Sequence, residues 1–530
     1  MAQAPHRYPV GMQVFEDIRK GGYLYVDKTS HIWGLLQAGG KYRFLSRPRR
    51  FGKTLLVSTM EAYFRGRRDL FRGLALERLD AREEWPAHPV IRLDLSTCKS
   101  TSEEGLAAEL DMVLRRVEEV FGREEGVSGW SPRVESLIRR AARTSDQGVV
   151  VLVDEYDAPL LNVMHDPDRL QRFREIMREF YSPLKACEPY LSFVFITGIS
   201  KFSQLSIFSE LNNLVNVSMD PQFGGICGIT AEELDGPLAP DVAWLAGELG
   251  MTPAECREQL RRRYDGYRFT REPAEVYNPF SLVAAFDRRD LDSYWFGSGT
   301  PTSLVNMLRR TDVTVPELEG VRAPASAFDA PTEAMGDPIA FMYQSGYLTI
   351  KGYSERTRTY TLGIPNAEVA EGLYESLLPA YTGKPASATG GFVADLSDAL
   401  YVGDVDQALR LLRSFLAGIP YDLAAKDEKA FQAQLYLVFK LVGASIRTEV
   451  RTSTGRIDVV VESPGATYVM ELKYRRAGEK HPTSADALAQ IDDKGYLIPF
   501  AAGGRPVVKV GVVYSEDVRT IDDDWAIEQA

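Results

Sequence analysis

The sequence predicts an α/β protein in three parts. An N-terminal parallel sheet with flanking helices is expected over residues 1–235, a mostly helical middle region over 236–390, and a C-terminal α/β domain over 391–530. Three observations predict this. Short apolar runs alternate with long helical patterns in the first part. One of those runs, "GVVVLVDEYDAPL" at 148–160, stays apolar until it ends abruptly in acids, as a strand buried on both faces of a parallel sheet does. Near the C-terminus, "GRIDVVVES" and "TYVMELKY" read as two strands joined by the turn "PGA".

The elements follow in order. "KYRFLS" (41–46) reads as a short strand, and "TLLVSTMEAYF" after Lys53 has the apolar spacing of a helix. "VIRLDLS" (90–96) is a second strand, followed by a helix from about Ser102 to Phe121. "LSFVFITGISKF" (191–202) is another apolar strand, ending in Thr197, Ser200 and Lys201. Beyond 236 the helical pattern is broken by turns such as "VYNPFSL" and "GSGTPTSL", and "PASATGG" (385–391) is the expected linker because its residues are small. The last part opens with helices.

Length and composition bound the function. At 530 residues the chain exceeds one ordinary core, so roughly two to four domains are expected. Hydrophobic residues at 45% and charged residues at 26% describe a globular protein, and no apolar run approaches a bilayer span. "MAQAPHRYPV" lacks the apolar core of a secretory signal, and Cys98, Cys187, Cys227 and Cys256 are scattered like reduced core thiols. A cytoplasmic protein is expected. The net charge of −12 excludes a general coat of positive charge that grips nucleic acid. A local basic stretch at 41–72, with Arg47, Arg49, Arg50, Arg65, Arg67 and Arg68, suits phosphate contact, though a solvated helix face has the same composition.

Two constellations carry chemistry. Gly52-Lys53-Thr54 ends a phosphate-binding pattern in which Arg47 stands where the first glycine is usual. A strand, a tight loop and a helix is the context such a loop needs: its amides and the helix N-terminus face the anion, Lys53 reaches the β/γ-phosphates, and Thr54 places its hydroxyl on Mg²⁺. A GKT alone is a weak signal. Asp154, closing its apolar strand, adds the acid that a metal-nucleotide site requires. Glu155 is placed to polarise water and Thr197 to sense the γ-phosphate, while no arginine finger can be assigned. In the C-terminal part, Glu471 and Lys473 lie two apart in one strand and project to one face, with Leu472 pointing to the core. Asp458 converges on them from the adjoining strand. Two carboxylates with a lysine suit metal-assisted phosphodiester hydrolysis, but a charged edge hairpin gives the same string. His31, His88 and His165 are not spaced as ligands.

"YPVGMQVFEDIRKGGYLYVDKTSHI", "RPRRFGKT", "DEYDAPL" and "GISKFSQLSIFSELNNL" resemble the AAA-ATPase-like family of bacterial genomes, and the resemblance continues through "YDGYRF", "VYNPFSL" and "YWFGSGTPT". In that family "RPRRFGK" followed by Ser or Thr is the usual phosphate loop. The resemblance therefore implies that Arg49, Arg50, Phe51, Gly52, Lys53 and Thr54 hold ATP or flank it, together with Asp154 and Thr197, and that Mg²⁺ lies on Thr54 and Asp154. The segment from Glu428 through "MELKY" resembles the PD-(D/E)XK nuclease superfamily, which has a restriction-endonuclease-like fold. That resemblance implies Asp458 and Glu471 as ligands of Mg²⁺ or Mn²⁺, Glu428 assisting the metal, Lys473 as the catalytic lysine, and Gln490 and Tyr496 near the substrate. Together these imply an ATPase whose nucleotide state controls an attached nuclease acting on DNA, or on RNA, in homo-oligomers in which a neighbour supplies the arginine. The alternative is a nucleotide-gated binding or signalling protein with a non-cleaving fold.

Overall fold

The computed structural model describes residues 4–200, 213–272, 274–296, 304–305, 307–308, 315–329, 338–420, 423, 425, 427–443, 446–452, 455–501 and 504–529. The chain divides into two compact units, residues 1–299 with 320–369, and residues 300–319 with 370–530. The middle region expected at 236–390 is thus shared between them.

In the first unit, β1 (Tyr42–Ser46), β2 (Val90–Asp94), β3 (Val149–Asp154), β4 (Leu191–Gly198) and β5 (Val215–Asn216) form one sheet in the order β2-β3-β4-β1-β5. Every pairing is parallel. All six residues of β3 are buried, as a run of β-branched side chains between two helical layers requires. Because the strands are parallel, their carboxyl ends share one edge of the sheet, where ligands of open α/β sheets bind. The register places Leu45 opposite Thr197 and Val153 opposite Ile196, so the ends of β1, β4 and β3 come out level.

Local chemistry starts the helices where the sequence expects them. Ser102 caps the Glu103–Phe121 helix by accepting from the Gly105 amide, with Glu103 and Glu104 in the positively charged first turn. The Lys53–Phe64 helix starts at Gly52, whose φ of 85° lies in the left-handed region that glycine enters without penalty. Further along, Thr230 and Thr252 each make a capping box, with Glu233 and Glu255, for the helices that follow. The middle of the chain is mainly helical and also carries strand. β6 (Ile229–Thr230) pairs β7 (Val276–Tyr277), while β8 (Val321–Ala323), β9 (Thr349–Ser354) and β10 (Thr359–Gly363) form a small antiparallel sheet.

The second unit holds a six-stranded mixed sheet: β11 (Ile446–Arg451), β12 (Arg456–Glu462), β13 (Thr467–Arg475), β14 (Val507–Ser515), β15 (Thr520–Ile521) and β16 (Ala526–Gln529). β12 and β13 are the expected hairpin. β13 and β14 are parallel and joined through the Ser484–Asp493 helix, which packs on both. Ile457, Val460, Val469, Leu488, Ile491, Tyr496 and Val507 form the core beneath it. One expectation fails here: "PASATGG" is not a linker. Pro385 stands at the start of the Ala386–Tyr401 helix, the small residues form its first turns, and Thr389 is buried.

Candidate nucleotide and metal sites

The loop after β1 is built from behind. Phe51 is buried edge-on against Tyr267 and Phe269 at centroid distances of 4.7 and 5.4 Å, so the "YDGYRF" segment forms an aromatic bed beneath the loop. Its side chain is therefore committed to packing, and only its backbone can face a ligand. Arg47 is buried as well. It donates to the carbonyls of Ser46, Ser218 and Phe223 and lies 4.3 Å over the Phe269 ring. The arginine in place of the first glycine thus braces the turn and is not a phosphate contact. The Trp295 indole donates to the Arg49 carbonyl at 3.1 Å, and a carboxylate, Glu368, accepts from the amides of Tyr294 and Trp295. Arg49 and Arg50 remain exposed, Arg50 lying 4.0 Å over Phe280. Arg65 and Arg67, by contrast, are spent on ion pairs with Glu61, Glu16 and Asp69, which favours the solvated-face reading for that end of the basic stretch.

Lys53 is 3% exposed; its Nζ donates to the Pro48 carbonyl at 3.0 Å and stands 3.4 Å from Glu155 Oε1. Asp154 is 1% exposed; among the described residues no donor meets either of its oxygens with full hydrogen-bond geometry, the Thr54 hydroxyl being a weaker neighbour, and Arg92 approaches one of them at 3.8 Å. Burial, then the charge of Glu155, lifts the Asp154 carboxyl to about 6, against the pull of Lys53 and the Thr54 hydroxyl. Buried carboxylate oxygens so poorly supplied with donors are what a divalent cation satisfies, so Thr54 and Asp154 fit the expected Mg²⁺. Thr197 is buried and its hydroxyl donates to the Leu45 carbonyl at 2.8 Å, which ties β4 to β1 in place of pointing into the site.

In the second unit, the Val459–Met470 register sets Asp458 opposite Glu471 across the hairpin. Asp458 accepts from the Leu472 amide at 2.8 Å. Lys473 Nζ donates to Glu471 Oε1 at 2.9 Å and to Gln490, whose amide in turn donates to Glu471. Glu471 is 2% exposed, and its Oε2 has no partner among the described residues. Burial first, and Asp458 second, push it up to about 7, while burial also raises Asp458. Glu471 and Lys473 do project together, as expected, but Glu471 is buried while Leu472 is only half-buried. Glu428 sits exposed in the first turn of the Glu428–Val442 helix, where it accepts from Gln432. Among the described residues, no set of three His, Cys, Asp or Glu is gathered closely enough to hold a metal. Tyr496 is packed in the core and not presented to a substrate. Lys201 lies outside the described residues.

Glu471 yields a prediction for the metal-free protein. A carboxyl whose folded pKa is raised favours folding at low pH, and that contribution disappears as pH rises through about 7. In chelator, the melting temperature of the second unit falls between pH 5 and 8. Mn²⁺ restores it at pH 8 far more than at pH 5, and Glu471→Gln removes both effects. Calorimetry that finds the same melting curve in Glu471→Gln and the parent would refute this.

Residues 9–208 match a family model described as "Predicted AAA-ATPase", and residues 426–524 match one described as "PD-(D/E)XK nuclease superfamily". A protein of Azotobacter chroococcum mcd 1, described as "Uncharacterized protein in vnfD 5'region", is 36% identical over 525 residues, 97% of this chain and 98% of its own. This chain belongs to the AAA-ATPase-like family, with a C-terminal PD-(D/E)XK nuclease superfamily domain. A solved structure of the Aeropyrum pernix ORC1 protein in complex with DNA is 12% identical, covers 66% of this chain and 93% of that one, and has a TM-score of 0.24.

For this AAA-ATPase-like protein, geometry supplies what spacing alone leaves open. In "YVDKT", Asp27 accepts from Thr29 and from the Ala75 amide, Thr29 accepts from Leu76, and Lys28 forms a 2.6 Å ion pair with Glu233. The segment is a brace between distant helices. Sequence reading also passes over Glu368 and Trp295, because nothing local marks a residue that acts on a loop 246 positions away.

Proposed function

We propose that this protein binds and hydrolyses ATP and that its nucleotide state controls an attached metal-dependent nuclease acting on phosphodiester bonds of DNA. One observation carries the reading: each unit keeps, close to a lysine, a buried carboxylate with at least one oxygen poorly supplied with donors among the described residues, Asp154 near Lys53 and Glu471 beside Lys473. Leaving such groups unsatisfied costs about 1–3 kcal/mol or more each, and a bound cation offsets it.

In the first unit, the loop amides from Arg49 to Thr54 and the helix N-terminus receive the phosphates. Thr54 and Asp154 hold Mg²⁺, which when bound neutralises charge on the phosphate oxygens. Without nucleotide, Lys53 is bonded to Pro48 and paired with Glu155. Moving Lys53 onto a phosphate frees Glu155 to orient a water and take its proton. In the second unit, Asp458 and Glu471, assisted by Glu428, hold Mg²⁺ or Mn²⁺. Lys473, oriented by Gln490, then positions the attacking water. Within the first unit, the Arg49 carbonyl is bonded to Trp295, whose amide is bonded to Glu368. Glu368 lies in the Ala367–Thr382 helix, where the chain passes from the first unit to the second.

A second reading is a nucleotide-gated nucleic-acid-binding or signalling protein whose nuclease-like fold does not cut. It is favoured by the two-carboxylate set and by the net charge of −12. One experiment separates them. DNA and RNA are incubated with the protein and Mn²⁺ without nucleotide, with ATP, and with a slowly hydrolysed analogue. Cleavage that differs among the three supports the first reading. Equal cleavage sinks nucleotide control, and binding without cleavage leaves the second.

A further inference from the structure

The turn that carries Glu155 is held by more than its own strand. Glu155 has φ of 53°, a left-handed conformation costly for a residue with a Cβ. The next two residues show what maintains it. The Tyr156 amide donates to the Thr197 carbonyl at 3.0 Å, and its hydroxyl donates to the Ser200 carbonyl at 2.9 Å. Asp157 is fully buried and accepts three donors from the segment after β4: the Ile199 amide at 3.1 Å, the Ser200 amide at 2.7 Å and the Ser200 hydroxyl at 2.5 Å. Gly198 makes this approach possible, since a Cβ there would lie 2.4 Å from Asp157 Oδ1. A carboxyl group in a dry interior that collects three donors from one turn does more than fill space. It fastens the end of β3 crosswise to the end of β4.

We infer that Asp157 is a positioning residue of the ATPase site: by clamping the 198–200 turn, it holds the strained Glu155 backbone and aims the Glu155 carboxylate at the place beside Lys53 where the nucleotide phosphates arrive. The inference rests on the reading that Glu155 acts on water during ATP hydrolysis. Asp157 itself touches no reacting atom. Its neighbours set the direction. Loss of the clamp lets Glu155 relax toward ordinary φ and carries its carboxylate off line, and a displacement of about 1 Å can cost about a hundredfold in rate.

The test is a double-mutant cycle on the full-length protein, with Asp157→Asn, Glu155→Gln and the pair. Turnover, the affinity for a fluorescent ADP analogue and the melting temperature are each measured. Asp157→Asn is expected to lower kcat about tenfold to a hundredfold with nucleotide affinity held. In the Glu155→Gln background, followed at high enzyme concentration, it should then change residual turnover by no more than about twofold. Equal losses in both backgrounds, or loss of nucleotide affinity with kcat intact, overturn the inference and assign Asp157 to the fold alone. Full turnover by Glu155→Gln alone sinks the reading beneath it. If Asp157→Asn does not fold, Ser200→Ala, which removes one donor and no charge, replaces it in the cycle: a kcat loss confined to the Glu155 background supports the clamp, and equal losses in both backgrounds overturn it.

Discussion

Lys53→Ala is expected to abolish ATP turnover by the purified protein while leaving its circular dichroism and the melting of its second unit unchanged. Lys53 is nearly sealed from solvent, and among the described residues its ammonium meets the Pro48 carbonyl and the Glu155 carboxylate. Alanine removes the buried cation that can travel from those partners onto a phosphate. Deleting a single group that stabilises transition-state charge in a dry site costs on the order of 10²–10³-fold. The loss here is expected to be of that order, since Lys53 is the buried cation of the phosphate loop. Nucleotide titration separates binding from chemistry. Turnover in Lys53→Ala equal to that of the parent would remove the first half of the proposal.

The second large effect is at the hairpin. On the proposed reading, Asp458→Ala is expected to eliminate Mn²⁺ binding by the second unit and any cleavage that depends on it. Asp458 supplies one of the two converging carboxylates and also accepts the Leu472 amide, so alanine deletes a ligand and orphans a donor at once. Asp458→Asn separates these roles: the amide oxygen still receives Leu472, the fold keeps its melting temperature, and the metal is still lost. Lys473→Ala keeps Mn²⁺ and loses cleavage, since Lys473 touches Glu471 and Gln490 but supplies no ligand oxygen. Isothermal titration with Mn²⁺ on the three variants decides the matter. An unchanged Mn²⁺ isotherm in Asp458→Asn would falsify its assignment as a ligand.

The strands β1 to β4 of the parallel sheet were legible, because burial on both faces writes a plain signal. "VVVLVD" can be little else, and it ends at the acid the site needs. The pair Glu471 and Lys473 was legible through the period of a strand, whereas the inward turn of Glu471 was not. Period fixes which residues share a face, and only tertiary packing decides whether the helix carrying Gln490 covers that face. "PASATGG" was misread for a related reason: small residues are as compatible with a helix started by proline as with a linker, and the contacts that choose lie elsewhere in the sequence. Arg47 shows the same limit. Its type suggests phosphate, yet its surroundings are three carbonyls and a ring.

The aromatic bed under Phe51 has a consequence for biosynthesis. A nascent chain that has emerged only as far as residue 235 contains every residue of the phosphate motif but lacks Tyr267, Phe269 and Trp295, the side chains on which that motif rests. On the proposed reading, nucleotide capture is expected only after residue 295 has emerged, and a gene truncated near residue 235 encodes the phosphate motif without the side chains that brace it.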